Sequence, residues 1–271
     1  MDTTPNSDRS NYFRENRKHW EEILQQRSAT ESVSRIKEFL TGETALLPIE
    51  EEELGNIDGT NLLDLQCFVG IRTLSWARKG ATVTGVDMST EAINASRKIA
   101  AEAGLEDQAS FIEANVYDLP EIHSERYDVV FTNFGVLCWL PDIELWAEVV
   151  AEFLKPGGIF YLAEYHPISD ALSYDFTDEE APITIENPYF STEEPVTPEA
   201  EGPFKWTHSL GETLTALIDA GIELKFVHEH PFSVIEHSPG MIEDENGYWR
   251  FENDVDLPQL VTIKGKMKHQ E

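Results

Sequence analysis

The sequence predicts an α/β protein built on a doubly wound, mainly parallel seven-stranded sheet with an antiparallel edge strand. Three observations carry that expectation. From Asn61 onward, short apolar runs alternate with segments of helical period. The joints between them are short and marked by single glycines such as Gly70, Gly80 and Gly104. The last two runs, "IELKFVHEH" and "PQLVTIKGKM", have no helix between them, which implies an antiparallel pair at one end of the sheet.

Residues 11–40 have helical spacing, with Trp20, Ile23 and Leu24 on one face and Val33, Ile36, Phe39 and Leu40 on a second. Gly42 ends them, and "LLPIEEEELGNIDG" reads as a polar connection to the first strand, "NLLDL". A tight turn leads into a helix from Ile71 to Lys79, and then to the second strand, "ATVTGVD". Ser89 is placed to cap the next helix, because its hydroxyl can accept from a free N–H of the first turn. "ASFIEAN" and "YDVVFTNF" are strands three and four. "DIELWAEVVAEFL" is an amphipathic helix stopped by "KPGG", and "IFYLAEYH" is strand five. Residues 167–207 break the rhythm with prolines, acids and aromatics, before "SLGETLTALIDAG" resumes it as a helix. A hairpin-like aromatic segment, Pro231 to Pro258, separates the last two strands.

Composition narrows the function. Fifty-one acids against 20 bases give a net charge of −31, which argues against binding a phosphate backbone or an anionic membrane surface. The acids are dispersed rather than gathered in a tail, a pattern suited to a high-salt cytoplasm where screening removes self-repulsion. No apolar run approaches the roughly 20 residues of a membrane helix. The first 20 residues lack the apolar core of a signal peptide. Two cysteines, Cys67 and Cys138, supply neither a disulfide framework nor a thiolate metal site. A cytoplasmic location is expected.

In open α/β sheets the ligand sits beyond the carboxyl ends of the strands. Asp64, Asp87, Asn115 and Asn133 fall there on four successive strands. Asp87 follows Asp64 by 23 positions, near the spacing at which an acid reaches a ribose hydroxyl. The intervening turn, "QCFVG", has one glycine. A pyrophosphate needs close approach of backbone amides and hence small residues, so Gln66 and Phe68 speak against a dinucleotide. A nucleoside joined to an amino-acid end makes no such demand, and S-adenosylmethionine (SAM) is such a ligand.

The segments "LLDLQCFVGIRTLSWARKGATVTGVDMSTEAI", "YDVVFTNFGVLCWLPD", "LKPGGIFYLAEYHP" and "WTHSLGETLTALIDAGIELKFVHEH" resemble the class I SAM-dependent methyltransferases. The similarity is to a prokaryotic group with an L-Q-C-x-x-G cofactor loop, and it runs from about Asn11 to the last strand. It implies a Rossmann-like methyltransferase fold and SAM as cofactor, with S-adenosylhomocysteine (SAH) as product. It also implies residue roles. Asp64, Gln66, Cys67 and Gly70 hold the methionine end, Asp87 accepts from the ribose hydroxyls, and Met88 lies beside the adenine. Asn115, where the group has Asp, faces the adenine amino group; Val116 offers its backbone amide, and Asn133 holds the methionine amine through its carbonyl. Phe68 and Val69 depart from the group's His-Phe pair.

Displacement at a sulfonium has a neutral leaving group, so positioning and desolvation dominate and a base is needed only where the acceptor must lose a proton. Glu164, His166 and His208 are the candidate bases, each with a structural alternative such as capping a turn or a helix. His228 and His230 share a strand face, but without an apparent third ligand no metal is expected. Residues 1–45 are expected to form an N-terminal helical lid on a SAM-binding domain of residues 46–271, with inserts 167–207 and 231–258 closing over the acceptor. Tyr12, Phe13, Trp20, Tyr189, Phe190, Phe204, Trp206, Tyr248 and Trp249 lie in those segments. A small-molecule acceptor is expected, with no nucleic acid and no membrane as partner. Two alternatives stand beside this reading: a SAM-fold protein that binds without catalysis, and an NAD(P)-dependent oxidoreductase on a similar sheet.

Overall fold

The computed structural model describes residues 5–27, 31–173, 184–192, 194–196, 203–236, 241–245, 247–251 and 257–268. The sheet strands are β1 (Asn61–Leu65), β2 (Thr82–Asp87), β3 (Ala109–Glu113), β4 (Tyr127–Asn133), β5 (Leu154–Tyr165), β6 (Ile222–His230) and β7 (Leu260–Met267). Their order is β3-β2-β1-β4-β5-β7-β6, so the strand order reverses between β1 and β4, where a doubly wound sheet opens its crevice. The first five strands pair in parallel. β7 runs antiparallel to both β5 and the edge strand β6, as expected for two strands joined without a helix.

Helices cover both faces: α1 (Pro5–Arg27), α2 (Glu31–Leu40), α3 (Pro48–Leu54), α4 (Ile71–Arg78), α5 (Thr90–Glu102), α6 (Ile143–Phe153) and α7 (Leu210–Asp219). Caps set their starts. Ser89 Oγ accepts from the Ala92 N–H at 3.1 Å, Asp142 Oδ1 accepts from Leu145 at 3.0 Å, and Ser209 forms a capping box with Glu212. One side of the sheet packs Phe160 and Leu162 against Trp146, Phe153 and Leu217; the other packs Phe131 and Tyr161 against Trp76 and Leu74. Burial on both faces is why β4 reads as an unbroken apolar run, Val129-Val130-Phe131.

Three sequence expectations need correction. The helical stretch of residues 11–40 is two helices, with residues 28–30 outside the described part. The polar connection contains α3, whose Pro48 starts the first turn while the Leu47 N–H donates to Glu50 at 2.7 Å. Strand β5 begins at Leu154, not after "KPGG": Tyr127 pairs with Leu154 and Val129 with Ile159, so those four residues form an irregularity inside the strand.

Helix α1 packs against the described part of the first irregular segment. Tyr12 packs its ring 4.6 Å from Phe204 and 5.4 Å from Trp206, and the buried Asn16 amide bonds both the N–H and C=O of Phe204. Within 167–207 the described part holds a short helix, Ile168–Ala171, and a two-residue ribbon of Leu172–Ser173 with Thr184–Ile185. Within 231–258, Met241–Glu243 pairs antiparallel with Trp249–Phe251. Among the described residues no helix is long and apolar enough to cross a membrane.

Candidate active site

A cavity of about 340 Å³ opens at the strand-order reversal. Its floor comes from the ends of successive strands: Gln66, Cys67 and Gly70 after β1, Asp87 and Met88 at β2, Asn115 and Val116 after β3, and Asn133 at the end of β4. Eight of the nine positions assigned to cofactor binding therefore meet on one surface. Asp64 is the exception. It lies beneath the loop, 1 % exposed, with one carboxylate oxygen accepting from Thr73 Oγ1 at 2.5 Å and the other without a partner among the described residues.

The loop answers the missing-glycine problem directly. Gln66 and Phe68 adopt left-handed backbone, at φ 63° and 50°, the conformation glycine would take there. For an L-residue this costs about 1–2 kcal/mol each, and the loop is held in place from outside. The Phe68 N–H donates to Asp87 Oδ2 at 2.9 Å, the Cys67 N–H to the Val86 carbonyl at 2.9 Å, and Gln66 Nε2 to the Val136 carbonyl at 3.2 Å. Gly70, at φ 69°, opens α4; a Cβ there would stand 2.7 Å from Phe111 Cε1, so this one glycine is required. The bulk of Phe68 is used above the loop, where its ring packs 5.3 Å from Trp20, itself 5.2 Å from Trp139.

Asp87 is anchored by the N–H groups of Phe68 and Ser89, each at 2.9 Å, which leaves each oxygen a further lone pair toward the cavity. Burial pushes its carboxyl above the usual range, against those amides and Arg17. Burial also raises Asp64, to about 7, with the Thr73 hydroxyl pulling the other way. The Cys67 thiol is held well above its ordinary value by burial and by both aspartates, so it is neutral and no nucleophile.

The available polar atoms suit a nucleoside with an amino-acid end. Gln66 Oε1 is buried without a partner among the described residues, leaving an acceptor for a cationic or N–H group. The Asn133 amide lines the cavity and makes no hydrogen bond to another described residue, and the same holds for the Val116 N–H. Asn115 Oδ1 already accepts from the Tyr117 N–H at 3.1 Å, an Asx turn that fixes the amide and leaves one lone pair.

The three candidate bases are not on this cavity. Glu164 accepts from four backbone N–H groups, those of Gly135, Val136 (2.9 Å), Leu137 (3.1 Å) and Tyr165 (2.7 Å), and so holds the loop after β4. Burial raises its carboxyl despite those donors. His208 spans the Leu140 carbonyl (2.7 Å) and Ser191 Oγ (3.3 Å); burial lowers it, so it is neutral. Glu164 and His208 line a separate cavity of about 50 Å³ behind the Gly135–Tyr165 wall. His166 takes the Ile168 N–H on Nδ1 at 3.1 Å and sets Nε2 2.9 Å from Glu229; burial lowers it, against Glu229. Each of the three thus holds a turn or loop, but the helix cap offered as the alternative for His208 is supplied by Ser209 instead.

Several cavity residues escaped the sequence. Arg72 pairs with the fully buried Glu50 and lies 4.6 Å over the Phe134 ring; Arg35, Tyr165, Val234 and Ile235 complete the walls. Of the aromatics assigned to a lid, Phe13 and Trp20 line the cavity, while Tyr12, Phe204 and Trp206 pack behind it. His228 and His230 also gain the third donor that was not apparent, Glu53 of α3.

Residues 63–162 match the family model described as a methyltransferase domain. Over 107 residues the chain is 37 % identical to a ubiquinone biosynthesis O-methyltransferase of Salmonella arizonae, a match covering 40 % of this chain and 43 % of that protein. The match thus spans less than half the length of that relative. Among solved structures, a SAM-dependent methyltransferase of Mesorhizobium loti aligns with a TM-score of 0.63 at 21 % identity, over 84 % of this chain and 99 % of that one. One of Listeria monocytogenes described as a putative SAM-dependent methyltransferase aligns at 0.61 and 18 %, over 82 % and 98 %. The similarity in fold covers most of both chains.

Proposed function

We propose that this chain, which carries a methyltransferase domain at residues 63–162 on the Rossmann-like methyltransferase fold, binds SAM in the cleft and passes its methyl group to a small-molecule acceptor. One observation carries the reading. Gln66, Asp87, Asn115 and Asn133, each at the carboxyl end of a different parallel strand, converge on one cavity, in whose first loop Gln66 and Phe68 keep left-handed backbone where glycines would be expected. Bulky loop residues suit a ligand without a pyrophosphate, which counts against the nicotinamide alternative.

When bound, SAM supplies an electrophilic methyl on a sulfonium. Asp87 holds the ribose hydroxyls, and the Val116 N–H with the Asn115 amide reads the adenine edge. Gln66 Oε1, Asn133 and, from beneath, Asp64 hold the amino-acid end. Trp20, Phe68 and Trp139 roof the cavity and exclude water, and the acceptor lies between that roof and the Phe134–Tyr165 wall. The chain's contribution to rate is orientation and desolvation. No base among the three candidates lines the cleft, which suits an acceptor that is already nucleophilic. The same observation favours the non-catalytic alternative, and product formation on a panel of thiol, amine and phenol acceptors decides between them. Residues 1–45 and the two inserts act as the lid, and the acidic surface belongs to a high-salt cytoplasm.

A further inference from the structure

On the edge of the sheet, away from the cleft, a second cluster of side chains has no part in that chemistry. His228 and His230 project from one face of β6, and Glu53 reaches them from α3; one donor atom from each lies within 4.8 Å of the others. His228 Nδ1 is 2.7 Å from Glu53 Oε1. We infer that Glu53, His228 and His230 form a binding site for a borderline divalent cation of the Zn²⁺, Co²⁺ or Ni²⁺ class.

The donor set selects that class. Two imidazoles and one carboxylate suit those ions, whereas Mg²⁺ and Ca²⁺ want oxygen alone. The surroundings hold each donor in place. Glu53 Oε2 accepts from the Tyr161 hydroxyl at 2.9 Å, and its main chain is tied down by Lys264 Nζ, 2.6 Å from the Glu53 carbonyl. The His228 ring stacks flat on Phe226, 4.2 Å away at 3°, while His230 is set by Thr262 Oγ1 at 3.2 Å and by the Phe232 ring at 5.0 Å. Such outer contacts orient metal ligands and fix the imidazole tautomer. A tetrahedral ion at 2.0–2.1 Å holds its donors about 3.3 Å apart, so a small imidazole rotation closes the site. His228 keeps half its side chain exposed, which gives the ion a path from solvent and room for water to complete its shell. The net charge of −31 raises the local concentration of cations around it.

The site has a structural consequence. It joins α3 to the edge strand, and four residues past His230 the chain reaches Val234 on the cleft wall. An ion here pins the root of the segment that carries Val234 and Ile235 to the cavity wall.

The test is titration of the EDTA-treated full chain with Zn²⁺ by calorimetry and with Co²⁺ by visible absorption. The expected result is one ion per chain, with ligand-field bands typical of low coordination, and affinity reduced about tenfold or more in His228→Ala, in His230→Ala and in Glu53→Gln. His228→Asn, at the same half-exposed position, serves if the alanine variant is unstable. Uptake by many weak sites that the variants leave unchanged would mean that dispersed surface carboxylates bind the ion, and overturns the assignment. So does the absence of saturable uptake by the wild-type chain.

Discussion

Replacing Glu164 by glutamine separates its two roles, scaffold and base. The carboxylate is 6 % exposed and accepts from four amides: Gly135 and Tyr165 on Oε1, Val136 and Leu137 on Oε2. Glutamine has nearly the same shape but only one acceptor oxygen. Whichever way its amide turns, the NH₂ meets two N–H donors that lose their acceptor. A buried donor left unsatisfied costs about 1–3 kcal/mol, so Glu164→Gln should lose about 2–6 kcal/mol of stability. For a protein of this size that is a fall in Tm of at least about 4 °C. Urea and thermal melts measure it, and SAH titration of the variant reports on the loop, because Gly135 and Val136 line the cleft. A variant that melts with the wild type, binds SAH normally and loses only turnover would refute the scaffold argument and return Glu164 to the role of base.

Asp87→Ala should weaken SAH binding by roughly 1–3 kcal/mol, about 5- to 150-fold, the scale of lost charge-assisted hydrogen bonds; calorimetry showing unchanged affinity would move the ribose elsewhere. Asp64 gives a pH signature. Burial holds its carboxyl at about 7 against 3.8 unperturbed, and an ammonium bound above it lowers that value. Below pH ~7 binding then releases a proton and strengthens as pH rises, flattening once Asp64 is ionised. The same raised value makes the ligand-free native state hold more protons than the unfolded chain between 3.8 and about 7, so its stability falls with rising pH across that window. Buffers of differing ionisation enthalpy detect the proton; affinity flat with pH, or equal proton release in Asp64→Asn, contradicts the assignment. Raising KCl from ~0.1 M to molar should raise Tm, since screening relieves the self-repulsion of −31 charges; a flat or falling Tm argues against a high-salt habitat.

The part of the fold legible in the sequence is the part with local signals. The βα rhythm, the cap at Ser89 and the polar residues at strand ends all follow from spacing along the chain, and of those end residues Asp87, Asn115 and Asn133 meet on the cleft while Asp64 lies beneath it. Helix α3 was hidden because four successive glutamates resemble a solvated connector. Two of them face inward to partners far along the chain: Glu50 to Arg72, and Glu53 to Tyr161 and His228. The same distance, 175 positions, kept Glu53 from being seen as the companion of the histidine pair. Pro48 was the one local sign of a helix start. Glu164 shows a second limit: an acid at the end of a strand looks like a ligand contact in the sequence, and only the folded turn behind it reveals the four amides that its two oxygens accept from.

The central claim is that the cleft floored by Gln66, Asp87, Asn115 and Asn133 takes an adenosyl amino acid and not a dinucleotide. Calorimetric titration of the full chain with SAH and, separately, with NADH tests it most directly. Saturable binding of SAH at one site per chain, lost in part with Asp87→Ala, and no heat from NADH is the predicted result. Binding of NADH with none of SAH would contradict it.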